Sequence, residues 1–322
     1  MADAIGRLGV RLAPAEIKAR LRGERWHKAR RMRPLYLLFL LPLTSFILFH
    51  YLPIYGLIIA FKDFRLGLGF WRSPWVGLLH FQDFLTNPFA GRIIRNTIII
   101  SGLKLLFGFP APILLALLVN EIGHQGFKKT IQSLSYLPHF MSWVILAGIM
   151  VEILSPQRGL VAIIASWTGG TAPNFLTDQA FFRPMLIVTE MWKEVGWQSV
   201  VYLAALSSIS PQLYESAAVD GANRFRQAIH ITIPALFPVI TILGILRVGN
   251  ILNAGFDQIF NLYNPLVYEV ADIIDTFVYR RGIVERQYDF AAAVGLFKSA
   301  IGVTLIVGTN AVVRRFSDQG IW

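Results

Sequence analysis

Residues 214–238 read YESAAVDGANRFRQAIHITIPALFP, and the rest of the chain is best read outward from them. A short alanine-rich stretch ends at Gly221, a polar and basic segment follows, and Pro234 opens a long apolar run. Just upstream, Ser210-Pro211 is a helix start: serine is expected to cap free amides, and proline is tolerated at the first helical position. Residues 212–220 then form a short helix whose small side chains leave its backbone open to close approach. Gly221 permits a backbone turn that a Cβ would penalise, and Asn223 is placed to cap a second segment carrying Arg224, Phe225 and Arg226. Glu215 reads either as a solvated acid or as a charge for an arginine of a partner; Asp220 is expected to bond back to the turn. Neither has the neighbouring histidine, serine and base that hydrolysis would need. The stretch is an elbow between hydrophobic segments, offered to a partner.

Those flanking segments set the class. The chain has 322 residues, of which 55% are hydrophobic and 15% charged, against roughly 25% charged in an ordinary soluble domain. Residues 34–61 carry no formal charge, which is long enough for a membrane helix. Six spans account for the sequence, near 35–61, 96–120, 140–154, 185–206, 234–252 and 290–312. The fold class is therefore an all-α integral membrane protein. The weaker apolar run at 159–167 is too short to cross and reads as a short helix or loop at the outer surface.

The net charge is +11, and ten of the 30 basic residues precede residue 34. No folded reading element accompanies them, so nucleic acid is not the expected partner. They are expected to hold the N-terminus in the cytoplasm and to contact anionic membrane lipid. Residues 1–33 are thus a basic cytoplasmic segment and 34–322 a transmembrane domain. With the N-terminus inside, sixteen lysines and arginines fall inside, ten outside and four within spans. Both termini and the elbow are then cytoplasmic. The chain has no cysteine, which excludes disulfides and thiolate chemistry, and its histidines show no metal-ligand spacing.

Charges within spans are expensive and usually partnered. Lys104, Glu152, Glu190, Lys193, Glu194 and Lys298 are such charges, with Glu190 and Lys193 spaced to pair on one helix face. Asn96, Trp192, Trp197, Asn250, Asn253 and Lys298 are the residues to consider for a solute pathway: aromatic rings stack on sugar faces, and amides meet hydroxyls. Each has a plainer reading as helix-to-helix packing. The chain has no glycine-rich phosphate loop, so no cofactor is expected in it. An ion-coupled transporter would need buried coupling acids and often internal repeats, and it leaves the elbow unexplained. A membrane scaffold without a pathway is the other competing class.

The elbow strongly resembles the cytoplasmic loop motif of permease subunits in bacterial binding-protein-dependent ABC importers. Glu215, Ala217, Ala218, Asp220, Gly221, Ala222 and Pro234 match that motif; Ser216 stands where alanine is usual, and Ala228 where phenylalanine is common. Asn96-Thr97, WKEVGWQSVVYLAAL (192–206) and AAAVGLFKS (291–299) extend the likeness. FDQIFNLYNPLVYEVADIIDTFVYRRGI (256–283) is similar to the branch that imports oligosaccharides and polysaccharide fragments, alginate importers most of all. The resemblance implies a type I ABC importer permease fold with six transmembrane helices and a cytoplasmic coupling helix near 211–221. It implies partners: a second permease subunit, two ATPase subunits that bind ATP and Mg, and a periplasmic substrate-binding protein. Glu215, Ser216, Ala217, Ala218, Asp220, Gly221, Ala222 and Arg224 would then meet an ATPase. The implied cargo is alginate or a related oligosaccharide, with neutral oligosaccharides as the alternative.

Overall fold

The computed structural model describes residues 32–167 and 169–316, so most of the basic segment at 1–33 lies outside the described residues. Among these the only β pairing is one antiparallel bridge, Lys62 with Trp75; everything else is helix, turn or loop. The chain divides into two units, Met1–Ile58 and Ile59–Trp322.

In the first unit, helix α1 (Arg33–Phe46) runs into a π-helical turn, Ile47–Tyr51, and then a tighter 3-10 stretch from Leu52. Pro53 explains the change. Its nitrogen has no proton for the ordinary ladder and its ring crowds the preceding turn, so the Leu52 amide reaches back to the carbonyl of Ile47 instead. Residues Pro34–Phe61 form a 28-residue apolar stretch, long enough to cross a hydrocarbon core.

In the second unit the four-residue helix Gly69–Arg72 is followed by α2 (Leu79–Thr86). Helices α3 (Ala90–Gly108) and α4 (Pro110–Asn120) follow as one 31-residue apolar span. Next come α5 (Gln125–Tyr136), extended by a 3-10 turn to Phe140, and α6 (Trp143–Ile153). Then come α7 (Leu160–Trp167), where a short helix or a loop was expected, and α8 (Gln179–Ser207). The elbow holds α9 (Pro211–Val219) and α10 (Arg224–Gln227), and α11 (Ile233–Gly249) leaves it. Short helices, among them α12 (Phe256–Leu262) and α13 (Ile274–Tyr279), precede α14 (Tyr288–Phe316).

Among the described residues, four stretches are long and apolar enough to cross a bilayer: Pro34–Phe61, Ala90–Asn120, Arg224–Gly249 and Tyr288–Arg315. The bent pair α5–α6 makes a fifth if it counts as one span. The span expected near 140–154 corresponds to α6, which makes a crossing only together with α5. The chain bends by 104° between Phe140 and Trp143, where Ser142 caps a new helix by accepting from the Ile145 amide. Alone, the 11 residues of α6 rise only about 16 Å, roughly half a hydrocarbon core. The expected span at 185–206 lies within the single helix α8, but Arg183, Glu190, Lys193 and Glu194 keep that helix out of the apolar set.

Helix α8 is the hub. Phe182, Met185 and Leu186 pack with Ile100 of α3, Ala147 and Met150 of α6, and Ile259 and Leu262 of α12. Further along, Tyr202 and Leu206 pack with Ala116 of α4 and Leu236 of α11. Between these clusters α8 meets α5 at Gly196, where a Cβ would sit 2.0 Å from the Ser135 carbonyl oxygen. Only glycine allows that approach. A third cluster joins Phe84 of α2, Ile93 of α3, Phe277 of α13 and Phe290 of α14.

Candidate functional site

Helices α3, α8 and α11 line a cleft of about 540 Å³, to which Asn250, Ile251 and Asn253 also contribute. Its polar wall comes from Ser101 and Lys104 of α3, Glu190 and Gln198 of α8, and Arg247, Asn250 and Asn253 at the end of α11. Lys104 lies near the middle of the Ala90–Asn120 span and is buried. Its ammonium donates to the Ala254 carbonyl (2.8 Å) and to Gln258 Oε1 (2.6 Å), and it pairs with the Glu190 carboxylate. Gln258 is itself buried and donates onward to the Leu186 carbonyl (2.7 Å) and Thr189 Oγ1 (2.8 Å). A buried charge needs both a counter-charge and filled hydrogen-bond positions, and Lys104 has both. Arg247 Nη2 donates to Gln198 Oε1 at 2.8 Å.

Trp197 forms an apolar part of the same wall. Its ring stacks on His139 with centroids 4.8 Å apart and planes 5° from parallel. His139 Nδ1 lies 3.0 Å from Glu194 Oε2, and Lys193 donates to the His139 carbonyl at 2.6 Å. The bend after α5 is thus pinned to α8 behind the cleft. The expected Glu190–Lys193 pair does not form. Glu190 is drawn to the buried ammonium of Lys104, while Lys193 is occupied by His139 and by Glu194 at 3.6 Å.

A second polar network is closed on itself. Asp272, 1% exposed, takes both Arg280 guanidinium nitrogens (2.9 and 2.6 Å) and the Thr276 hydroxyl (2.7 Å). Arg280 also donates to Tyr263 OH at 3.2 Å and lies over the Tyr268 ring. Burial pulls the Arg280 pKa down, but the hydrogen bond and charge of Asp272 outweigh it and the net shift is upward. Burial pushes the Tyr263 phenol up. A raised arginine value stabilises the fold at every pH below the unfolded-state value, so Arg280 keeps its charge and the clamp its ion pair wherever the protein works. Asn96 of α3 locks the same segment: its amide donates to the Glu269 and Asp272 carbonyls (2.9 and 3.0 Å) and accepts from Arg183 (2.8 Å).

The elbow is a third feature. Gly221 has φ +77°. Its amide donates to the Ala218 carbonyl (3.1 Å), and the Ala222 amide to that of Ala217 (2.9 Å). That pair of bonds is the Schellman closure of a helix end, which favours glycine. Asn223 caps α10 by accepting from the Arg226 amide at 2.9 Å. Ser210 sits at the N-terminal position of α9 but makes no side-chain cap. Pro211 has no N–H, and the Leu213 amide is already bonded to the Ser210 carbonyl at 3.2 Å. Tyr214 OH, 3.0 Å from Thr232 Oγ1, ties α9 to the start of the following helix. Glu215, Ser216, Ala218, Asp220, Gly221 and Arg224 are exposed, Ala217 and Ala222 half-buried. Val219 and Phe225 are apolar yet 89% and 73% exposed. Arg224 lies 3.7 Å from Glu121, an exposed pair of little energetic weight.

Residues 108–318 match the family model described as binding-protein-dependent transport system inner membrane component. The chain belongs to that family. Protein LplB of Bacillus subtilis (strain 168) is 44% identical over 302 residues, covering 94% of this chain and 95% of LplB. The polygalacturonan/rhamnogalacturonan transport system permease protein YteP of the same organism is 43% identical over 288 residues, covering 89% and 90%. Among solved structures, a bacterial ABC transporter involved in the import of the acidic polysaccharide alginate superposes with a TM-score of 0.83 at 43% identity, covering 91% of this chain and 99% of that one. The chain is thus an ABC-importer permease with an all-α, multi-span fold.

Of the residues expected along this permease's pathway, Trp197, Asn250 and Asn253 come together in the cleft. Trp192 is half exposed and lies off the cleft wall. It is two positions from Glu190, which puts it on the opposite side of α8. Asn96 lies in the clamp, and Lys298 donates to Asp275 Oδ1 at 2.5 Å, outside the cleft. Sequence reading missed Arg247, Gln198 and Ser101. The available signal was that Arg247 and Asn250 are three apart on one helix, so a basic and an amide side chain share a face.

Proposed function

We propose that this permease carries acidic oligosaccharides, alginate fragments or pectin-type uronates, inward across the cytoplasmic membrane by alternating access. The observation that supports it most is the cleft: polar groups and an aromatic ring lining a cavity beside the mid-depth residue Lys104, where importers bind cargo between packed helices. The cargo class rests on likeness. An alginate importer and a polygalacturonan permease lie at 43% identity over about nine-tenths of the chain, and both polymers are built on uronic acids.

In this reading α8 completes a set of six spans, with both termini and the elbow cytoplasmic. A second permease supplies the other half of the pathway. Two ATPase subunits bind ATP and Mg, and a periplasmic binding protein delivers the sugar. Helix α9 is the coupling helix. Glu215, Ser216, Ala217, Ala218, Asp220, Gly221, Ala222 and Arg224 meet an ATPase, and the exposed Val219 and Phe225 give that contact its apolar area. Closure of the ATPases on ATP draws the elbows together and opens the cleft outward; hydrolysis resets it.

The test is ATP-driven uptake by the complete complex in proteoliposomes with its binding protein. Uronate oligosaccharides are expected to stimulate both uptake and hydrolysis. Gly221→Val forces a branched side chain into the left-handed turn, so uptake should fall at least tenfold with the subunit still inserted. Uptake unchanged in that variant, or stimulation by neutral sugars alone, contradicts the reading.

A further inference from the structure

We propose that Arg247 is the receptor for a substrate carboxylate within the cleft; this rests on the acidic-oligosaccharide reading above. The case is one of charge and of unfilled hydrogen-bonding capacity. Lys104 and Glu190 face the cleft as an ion pair and cancel. Behind the wall, Glu194 borders an adjoining recess and is engaged by Lys193 and His139. Arg247 borders both spaces. Among the described residues its only side-chain bond is to Gln198, a neutral amide, so it leaves the cleft with one uncancelled positive charge.

A cationic side chain at the end of an apolar span is costly to keep without a counter-charge and marks a functional position. The single bond to Gln198 fixes one edge of the guanidinium and leaves its other donors for a ligand. A guanidinium presents paired donors that match the two oxygens of a carboxylate. A uronic acid offers that group on every ring.

A second observation points the same way. Ser101 is 5% exposed, lines the cleft, and its hydroxyl has no hydrogen-bond partner among the described residues. Buried hydroxyls are normally bonded, and a sugar hydroxyl lying along α3 would satisfy it. Trp197 on the same wall offers a ring face. One cation, one free hydroxyl and one aromatic face together match an anionic sugar ring better than a neutral one.

The test compares uptake of a uronate oligosaccharide with its carboxyl-reduced counterpart, each saturating the binding protein, in the intact complex carrying wild type, Arg247→Gln or Arg247→Lys. The readout is the acid-to-neutral uptake ratio within one preparation, so lost or inactive protein cancels. The wild type is expected to favour the acid. Arg247→Gln should lower that ratio about tenfold, and Arg247→Lys, which keeps charge but not the planar fork, about threefold. A ratio unchanged within twofold in both variants overturns the assignment while leaving acidic import standing. A wild type that favours the neutral sugar overturns the import reading and this one with it.

Discussion

The clamp around Asp272 and the cleft around Lys104 are both polar networks inside an apolar protein, and both contain arginine. They differ in completeness. In the clamp, Arg280, Thr276, Tyr263, Asn96 and Arg183 are satisfied by one another and by backbone carbonyls. In the cleft, the Lys104–Glu190 pair is closed but Arg247 and Ser101 keep unspent capacity. Charge within a membrane protein therefore does not by itself mark a site; the sum of its partners does. A closed network holds segments in register, and an open one can take a ligand.

The largest effect that would test this contrast is at Asp272. Asp272→Asn removes the buried counter-charge of the half-buried Arg280 guanidinium and should destabilise the permease by about 3 kcal/mol, read as a lower midpoint of thermal unfolding in detergent. Unchanged stability would mean the clamp is not structural. Next comes a matched pair of asparagines. Asn96→Ala removes three hydrogen bonds from a buried position and should cost about 2 kcal/mol without altering sugar selectivity. Asn250→Ala, at the cleft, should change stability by less than about 0.5 kcal/mol yet raise the KM for uptake. A KM effect at Asn96, or a stability loss at Asn250, would reverse the assignment.

Much of this was legible in the sequence, and the failures have physical causes. The elbow could be read because Gly221 and Asn223 act through local backbone rules, and the structure bears out both the turn and the cap. Ser210 follows the same rules but is pre-empted by a backbone bond. The apolar spans were visible from composition, but the 104° bend after Phe140, where Ser142 caps a new helix, was not. Pairings across the fold were not visible. Glu190 has a basic neighbour three residues on, yet finds Lys104 on another helix. Asn96 looked available for cargo because its partners lie 87 to 176 residues away. Arg247 was one basic residue among four in the expected spans, and only the fold shows that the other three have acidic partners.

The absence of cysteine from the chain allows the most direct test. In the intact complex, Asn250→Cys and Asn96→Cys are each exposed to a membrane-impermeant maleimide during turnover with ATP and binding protein. The account predicts that position 250 is labelled, that a uronate oligosaccharide slows this labelling, and that position 96 stays unreactive throughout. Labelling of 250 that is absent, or indifferent to the sugar, would contradict the cleft as the route of import.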